Sequence, residues 1–479
     1  MLVPRSNLVA LALLLGAVSA SAAVPAATSA SVRNSELLAQ STPQPAAARP
    51  AATDYADRLI VKYKSGTSGP LTARALTQHA QSLQSLSGGY KVQVRYMRRL
   101  STGGELFGLG RTLPVAQAFK LARHLMRQDP NIAYAEPDVI NKTMALPSGA
   151  PNDPLFEKQW DLYEPAGGLN VLPAWERSRG QGVVVAVLDT GYRPHADLAA
   201  NVLPGYDFIG DLDASADGDG RDADASDAGD DCGRGSSWHG THVAGTIAAL
   251  AGNGVGVAGI APAAKILPVR VLGKCGGHTS DIVDGLAWAT GASVDGVPAN
   301  TTPARVVNMS LGSGVPCLNT YREAMASAYG RGAIVVVAAG NGSHNVRNVQ
   351  PASCPGVISV AATNRAGGRA YYSNYGGMVT VAAPGGELFG GEDSSTGILS
   401  TYNDGKVVPG NDSYGYEQGT SMAAPHVAGV VALMLSVNPK MTPDQVRQVL
   451  TSTSRNFPAA CAGCGAGIVD AAAAVAASR

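Results

Sequence analysis

The run "VVVAVLD" (Val183–Asp189) places six apolar residues in a row before an aspartate. Strands with one solvent-facing side alternate apolar and polar residues, whereas an unbroken apolar run is typical of a strand buried on both faces. The shorter run "YDF" (Tyr206–Phe208) and five longer runs follow along the chain. The five are Ala264–Leu272, Arg305–Leu311, Ala333–Asn341, Val357–Ala362 and Val379–Gly385. Together these runs predict a mainly parallel sheet of seven strands.

The segments between these runs have helical periodicity, as in "DIVDGLAWA" (Asp281–Ala289) and "YREAMASAYG" (Tyr321–Gly330). Strands that alternate with helices predict a doubly wound α/β domain with helices on both faces of the sheet. In such a domain, ligands bind at the carboxyl ends of the strands.

A smaller module precedes this domain. Its predicted strands are Arg58–Lys64, Val92–Leu100 and Ile132–Ile140, and its predicted helices are residues 71–86 and Pro114–Pro130. The sequence leaves room for a further short strand near "GLGRTL" (Gly108–Leu113). This order is typical of a small α+β sandwich of the ferredoxin-like kind.

The N-terminus has the features of a secretory signal. Arg5 precedes the apolar stretch Leu8–Val18, and Ala20–Ala22 suits a signal-peptidase site. The stretch is too short to span a bilayer, and no later apolar run reaches about eighteen residues, so we expect an exported protein without a membrane anchor. The predicted division is a signal peptide at 1–22, a flexible linker at 23–54, the small module at 55–144 and the main domain at 145–479.

Charge and cysteine content support this view. The formal net charge is zero and charged residues make up 15% of the chain, so no electrostatic feature favours a nucleic-acid partner. An even set of cysteines in an exported chain favours disulfides, and six cysteines allow fifteen pairings. The six are Cys232, Cys275, Cys317, Cys354, Cys461 and Cys464.

Three polar residues lie at the ends of buried elements. Asp189 ends the first strand, His239 begins the apolar stretch "HGTHVAGTIAAL", and Ser421 lies in "GTSMAAPHVAG" (Gly419–Gly429) before another apolar helix. Pro425 is expected in the first turn of that helix. Each residue alone has a structural explanation as a cap or turn. Together they supply a nucleophile, a base that activates it and a carboxylate that orients the base.

The three blocks "VLDTG", "HGTHVAGT" and "GTSMAAPHVAG", in the order Asp, His, Ser, resemble the signatures of the subtilisin-like serine proteases. The likeness runs from about Asn152 to the C-terminus. It implies a subtilisin-like fold in a secreted bacterial preproprotein, with Asp189, His239 and Ser421 as the triad. It also implies that Asn341, in "VVVAAGNG", donates to the oxyanion.

The resemblance further implies where substrate binds. An extended peptide would lie between two edges, formed by Ser310, Leu311 and Gly312 on one side and by Gly276 and Gly277 on the other. The preferred substrate side chain is left open by the sequence. We hypothesise that Cys232 pairs with Cys275 beside the second edge, Cys317 with Cys354, and Cys461 with Cys464.

Two segments are candidates for structural Ca²⁺. The first rests on resemblance to thermitase-like members of the family, and the second is the acidic segment Asp211–Asp231, whose Asp-x-Asp spacing suits an oxygen-binding cation. The first comprises the side chains of Asp153, Asp197 and Asn253 and the carbonyls of Leu250, Val255 and Val257. The second comprises Asp217, Asp219, Asp222 and Asp224.

Beside such a domain, the small module resembles a subtilase propeptide, which acts as an intramolecular chaperone and inhibitor and is removed near Ala145–Pro151. We therefore expect a secreted, self-processing and monomeric serine endopeptidase that acts on proteins or peptides through an acyl-enzyme. Two alternatives stay open: a catalytically silent binding protein on the same fold, and a transpeptidase or cyclase with the same triad.

Overall fold

The structure is a computed structural model that describes residues 55–64, 72–100, 102–139, 149–388 and 394–479. The chain divides into two compact units, Met1–Thr143 and Met144–Arg479. The predicted signal peptide and linker lie outside the described residues, as do residues 140–148 of the predicted processing segment.

The N-terminal unit has the predicted ferredoxin-like order. Its elements are β1 (Tyr55–Tyr63), α1 (Ala73–Leu86), β2 (Arg95–Arg99), β3 (Glu105–Pro114), α2 (Val115–Gln128) and β4 (Ile132–Pro137). The strands form an antiparallel sheet in the order β2-β3-β1-β4. Helix α2 is amphipathic, and its buried side turns Leu121 and Leu125 into the core of this unit. The strand for which the sequence left room is β3.

The second unit contains a parallel sheet of seven strands, as predicted. Its strands are β5 (Val184–Asp189), β6 (Tyr206–Asp207), β7 (Lys265–Arg270), β8 (Val306–Met309), β9 (Ile334–Ala338), β10 (Ile358–Thr363) and β11 (Val381–Pro384). The order across the sheet is β11-β10-β9-β8-β5-β7-β6, and every paired neighbour runs parallel. The seven predicted runs are therefore the seven strands, with shifted ends.

Helices cover both faces of this sheet. They are α3 (Trp160–Tyr163), α4 (Leu172–Trp175), α5 (Leu212–Ser215), α6 (His239–Ala248), α7 (Thr279–Ala289), α8 (Asn319–Gly330), α9 (Thr420–Val437), α10 (Pro443–Thr453) and α11 (Ala471–Ala477). Val185 and Val187 of β5 lie in a core with α6 and α9, whereas Ala186 and Leu188 lie in a second core with α7 and α8. Burial on both faces explains why this strand has no polar residue before Asp189.

A hairpin that the sequence analysis did not predict stands outside the main sheet. Strands β12 (Ile398–Asn403) and β13 (Asp412–Glu417) pair in antiparallel register, and β12 packs against α6. Strand β13 ends four residues before Ser421. The hairpin therefore connects the surroundings of α6 to the beginning of α9.

Helix α9 is the central helix of this unit. Its length and composition would allow it to cross a membrane, yet 83% of its residues are buried inside the protein, which is the pattern of a core helix. Pro425 lies in its interior rather than in its first turn, so that expectation was wrong. A proline has no N–H, and Pro425 therefore leaves the carbonyl of Ser421 without its helical partner. The Ser310 hydroxyl donates to that carbonyl instead, over 2.7 Å.

Candidate active site

The carboxyl end of β5 holds the acid and the base together. His239 Nδ1 donates to Asp189 Oδ1 over 2.7 Å, and the same carboxylate oxygen accepts from the backbone N–H of Thr190. Asp189 is fully buried, while the His239 side chain is 20% exposed. The Thr190 hydroxyl accepts from the N–H of Gly240, which fixes the first turn of α6 against the end of β5. Asp189 thus orients the imidazole, and Thr190 fixes the helix turn that carries it.

The electrostatics of this pair favour the protonated ring. Burial lowers the pKa of His239, but the adjacent Asp189 charge and its hydrogen bond outweigh that effect, so the pKa is raised above the usual value of 6.5. Glu417 and Asp230 act in the same direction. A base with a raised pKa accepts a proton readily, which is what activation of a hydroxyl needs.

Ser421 lies in the first turn of α9, which packs against α6. Its hydroxyl donates to the Ser310 carbonyl over 3.2 Å and makes no hydrogen bond to His239. The structure therefore joins Asp189 to His239, and it brings Ser421 to the neighbouring helix terminus with its hydroxyl turned toward Ser310. Catalytic hydrogen bonds are often long or misaligned without substrate, so this rotamer is compatible with a nucleophile at rest.

Asn341 lies beside the backbone N–H of Ser421. Its Oδ1 accepts from the N–H and the hydroxyl of Thr420, over 2.9 and 2.8 Å. The Nδ2 group of the same amide therefore points away from Thr420. A Cβ on Gly419 would lie 3.4 Å from both Asn341 Nδ2 and Ser421 N. Two N–H donors thus border one small space that a glycine leaves open. Such a pair suits an oxyanion.

A cavity of about 330 Å³ opens beside these residues. Its walls are the segments Ser310–Gly314 and Ala338–Asn341, and Ser421 lies at its edge. A Cβ on Gly312 or on Gly340 would lie 3.6 or 3.5 Å from the same Cγ1 atom of Val349. Val349 therefore closes one end of the cavity between its two walls. Among the residues that the structure describes, no acidic side chain lines it.

Comparison with known proteins agrees with this geometry. Residues 180–467 match the model of the subtilase family. The chain is 48% identical over 437 residues to an extracellular protease of Xanthomonas campestris, covering 88% of this chain and 73% of the relative. It is 42% identical over 440 residues to an extracellular basic protease of Dichelobacter nodosus, covering 87% and 70%.

The chain belongs to the subtilase family. A solved protease structure from Pseudoalteromonas arctica PAMC 21717 has a TM-score of 0.68 and 59% identity, and it covers 69% of this chain and 100% of its own. The subtilase is a serine endopeptidase with a subtilisin-like α/β fold. This confirms the family, the fold class and the enzyme class that the sequence blocks predicted.

The six cysteines of the subtilase form the three hypothesised pairs. The structure contains Cys232–Cys275, Cys317–Cys354 and Cys461–Cys464. The first pair joins the loop before His239 to the turn that contains Gly276 and Gly277. Those two glycines do not line the cavity beside Ser421, whereas Ser310, Leu311 and Gly312 do. Only one of the two predicted substrate edges is therefore part of this cavity.

The residues of the first calcium prediction do come together. Asp153 accepts from the N–H groups of Gly252 and Asn253, and Asp197 accepts from Asn253 Nδ2 over 2.7 Å and from the N–H of Val257. Both carboxylates are buried, and neither pairs with a Lys, Arg or His side chain in the described part of the chain. Burial raises the pKa of Asp197, and the neighbouring Asp153 adds to that shift.

The acidic segment Asp211–Asp231 is arranged differently. Asp217 forms an ion pair with the fully buried Arg270, which also binds Asp207. The side chains of Asp222 and Asp224 accept backbone N–H groups within their own loop. Across the described ranges, no three Asp, Glu, His or Cys side chains gather closely enough to hold a metal ion. The set Asp217, Asp219, Asp222 and Asp224 does not fit a calcium site, because Arg270 already pairs with Asp217.

Four residues near the site were missed by sequence reasoning. The Thr190 hydroxyl holds the first turn of α6, and the Thr420 hydroxyl donates to Asn341. Val349 closes the cavity, and the Glu417 charge raises the pKa of His239. Thr190 and Thr420 lie next to the signature residues, so their positions were visible in the sequence. Nothing in the sequence pattern marks Val349 or Glu417, because Val349 reaches the site from the connection between β9 and β10, and Glu417 reaches it at the end of the hairpin β12–β13.

Proposed function

We propose that the subtilase cleaves peptide bonds with Ser421 as nucleophile, His239 as base and then acid, and Asp189 as the orienting carboxylate. The observation that carries this proposal is the 2.7 Å hydrogen bond between His239 Nδ1 and Asp189. A neutral ring that donates from Nδ1 has its lone pair on Nε2, which can accept the Ser421 proton once the hydroxyl turns away from Ser310.

The reaction then follows from the charges. Ser421 Oγ attacks the substrate carbonyl carbon while His239 takes the hydroxyl proton, and the carbonyl oxygen becomes negative between Asn341 Nδ2 and the Ser421 N–H. His239 passes the proton to the departing amine, which leaves an ester on Ser421. Water, deprotonated by the same ring, hydrolyses the ester and restores the serine.

Labelling with a fluorophosphonate probe tests this assignment. The mature protein should react with one equivalent of probe, and Ser421→Ala should not react. Ser436→Ala, at the other end of α9, is the matched control and should label like the wild type. Failure of the folded wild type to label would favour the silent binding protein, and labelling without net hydrolysis of peptides would favour a transpeptidase.

We further propose that the protein is secreted and that the N-terminal unit is a self-removed inhibitory propeptide. Support comes from its ferredoxin-like order and from two relatives that are named extracellular proteases. Intact-mass analysis of purified Ser421→Ala should show a chain that has lost only its signal peptide. Normal processing of that variant in a protease-free host would argue against self-cleavage.

We also propose a structural Ca²⁺ at the first predicted site. Two buried carboxylates without a cationic partner in the described residues fit a divalent cation, since isolated buried charge is costly. Asp153, Asp197 and Asn253 would hold the ion through side chains, and Leu250, Val255 and Val257 through carbonyls. The ion would stabilise the folded state and take no part in the reaction.

Chelation tests the calcium proposal. A cation present at a hundred times its Kd stabilises the fold by about 2.7 kcal/mol, so EDTA should lower the melting temperature by several degrees. Asp197→Asn should melt lower and lose this response to EDTA. Asp213→Asn, an exposed change in the acidic segment, should keep the response. If EDTA does not change the melting temperature, the proposed structural Ca²⁺ site is wrong.

A further inference from the structure

Asp227 is a buried acidic residue that the reaction described above does not use. It lies in the acidic segment Asp211–Asp231, and its side chain is fully buried. Its Oδ2 accepts from the Thr190 hydroxyl over 2.6 Å, and its Oδ1 accepts from the N–H of Gly229 over 2.9 Å. Burial raises the pKa of Asp227 to about 6, and these two hydrogen bonds act against that shift. The group is therefore a carboxylate at alkaline pH, and each of its oxygens has a donor.

The Thr190 hydroxyl carries a single proton, and Asp227 receives it. The lone pairs of the same hydroxyl are then left to accept from the N–H of Gly240, over 3.0 Å. A charged acceptor makes the first hydrogen bond strong, and it polarises the hydroxyl so that the second is strengthened as well. Gly240, Thr190 and Asp227 thus form a chain of hydrogen bonds in which every proton points toward the carboxylate.

Helix α6 depends on this chain for its first turn. Its N-cap residue, Trp238, has a left-handed backbone with φ of 49° and provides no side-chain cap. The first N–H groups of a helix have no acceptor inside the helix. The N–H of Gly240, next to His239, finds its acceptor in Thr190 instead. A Cβ on Gly240 would lie 3.2 Å from the Cβ of Asp189, so this turn packs directly on the end of β5.

Thr190 also holds the acid. Its N–H donates over 2.8 Å to Asp189 Oδ1, the same oxygen that accepts from His239 Nδ1. One residue therefore fixes the carboxylate through its N–H and the backbone beside the base through its hydroxyl. Asp227 is itself fixed to the chain after β5, because its N–H donates to the Tyr192 carbonyl over 2.9 Å. The catalytic pair thus has a buried support that lies outside the three signature blocks.

We propose that Asp227 is a positioning residue that acts through Thr190 to hold His239 at hydrogen-bond distance from Asp189. The inference rests on the proposed function and goes beyond it by adding a residue to the machinery of the triad. Displacement of a reacting group by about 1 Å can cost about a hundredfold in rate. Loss of Asp227 should therefore lower kcat, while the walls of the cavity beside Ser421 should keep their contacts with substrate.

Kinetics per active site test the proposal. The mature enzyme is titrated with a fluorophosphonate, and kcat and KM for a fluorogenic peptide are measured at pH 9, where Asp227 is charged. Asp227→Ala and Thr190→Val should each lower kcat about ten- to hundredfold, with KM changed by less than about twofold. Thr190→Ser, which keeps the hydroxyl, should recover most of kcat. Asp224→Ala is the matched control and should behave like the wild type, because Asp224 accepts from Ser226 within its own loop.

Two further readouts separate positioning from a purely structural role, which would lower the melting temperature and the yield of active sites but not kcat per site. First, Thr190→Val should cause little additional loss in the Asp227→Ala background, because both changes break the same chain. Second, Thr190→Val removes no charge, yet it should move the acid midpoint of kcat/KM downward. The Asp189 hydrogen bond raises the pKa of His239, so a looser bond lowers that pKa.

The outcomes separate this inference from the proposed function. Wild-type kcat per site in Asp227→Ala and Thr190→Val would overturn the inference, as would losses that multiply in the double variant. If Asp227→Ala does not fold, the kcat and the pH midpoint of Thr190→Val decide, and wild-type values for both would overturn it. If the wild type neither reacts with the probe nor hydrolyses the peptide, the proposed function fails. If it does both and the variants match it, only the inference fails.

Discussion

The subtilase unit contains two Asp–His pairs with opposite properties. In the cleft, His239 donates from Nδ1 to Asp189 over 2.7 Å, and its ring is partly exposed. In the core, His426 lies five residues after Ser421 on the same helix, with Nε2 3.0 Å from Asp161 and Nδ1 2.7 Å from the Met422 carbonyl. Both members of this second pair are buried.

The difference lies in the second nitrogen of each ring. His239 donates from Nδ1 to the carboxylate, and its Nε2 is available to accept and release a proton. Both nitrogens of His426 face acceptors, the Met422 carbonyl and the Asp161 carboxylate, so neither nitrogen is open to a proton from a substrate or a serine. An aspartate beside a histidine is therefore not enough for catalysis. A free, accessible nitrogen is needed as well.

Replacement of each histidine should separate the two roles, and the cleft should show the larger effect. His239→Ala should lower kcat by about a millionfold, the known scale for this residue type in subtilisin, while the melting temperature stays close to that of the wild type. Steady-state kinetics and thermal denaturation of the same sample measure both. A loss below a hundredfold would contradict the role of His239 as the base.

His426→Ala should have the opposite profile. Removal of one partner from a buried polar pair costs about 3–5 kcal/mol, because Asp161 then stays buried without its His426 partner. Urea unfolding should show this loss, while the fraction that remains folded should still react with a fluorophosphonate. If the His426→Ala protein is folded but fails to label, His426 is needed for catalysis as well, and the proposed difference between the two pairs is wrong.

Asn341 extends the comparison from the base to the oxyanion. Asn341→Ala should lower kcat by about 10²–10³-fold with little change in KM, a scale known from subtilisin, since the lost N–H matters mainly in the transition state. Thr420→Val should cause a smaller loss, because it leaves the amide in place but removes a bond that orients it. If KM rose and kcat did not change, Asn341 would be a ground-state contact instead.

The pH dependence of kcat/KM should be set by His239 and Asp189 in the cleft. The reaction needs His239 without its extra proton, so kcat/KM should rise as pH increases through the pKa of this ring. Since Asp189 raises that pKa despite burial, the midpoint of the acid limb should lie above 6.5. Glu417→Gln should move the midpoint downward, and Glu323→Gln should leave it unchanged. A wild-type midpoint at or below 6.5 would contradict the electrostatics of the cleft.

The smallest expected effect concerns substrate size. Val349 closes one end of the cavity, so Val349→Ala should raise kcat/KM for peptides with a large aromatic residue before the scissile bond relative to alanine, by about tenfold. Val335→Ala in β9, outside the cavity, is the control and should change stability without changing this ratio. An unchanged ratio in Val349→Ala would mean that another residue limits the depth of the cavity.

Much of the fold was predictable because a strand that is buried on both faces has an unbroken run of apolar residues in the sequence. Each of the seven apolar runs became a strand, and Asp189 was visible as the first polar residue after one of them. The hairpin β12–β13 was not predicted, since residues of β13 such as Ser413 and Tyr414 are only partly buried and their pattern differs little from a loop. Pro425 was misplaced because the start of a helix cannot be read from an apolar run whose first residues are small.

By itself, the sequence determined which chemical groups this protein carries and which strand ends they follow, because signature blocks and apolar runs are local properties of the chain. Only the tertiary structure decided which histidine keeps a free nitrogen, which carboxylate is already neutralised by Arg270, and that Glu417 and Val349 reach the cleft. The physical reason is that hydrogen-bond partners, burial and electric fields depend on residues that are distant along the chain and meet only after folding.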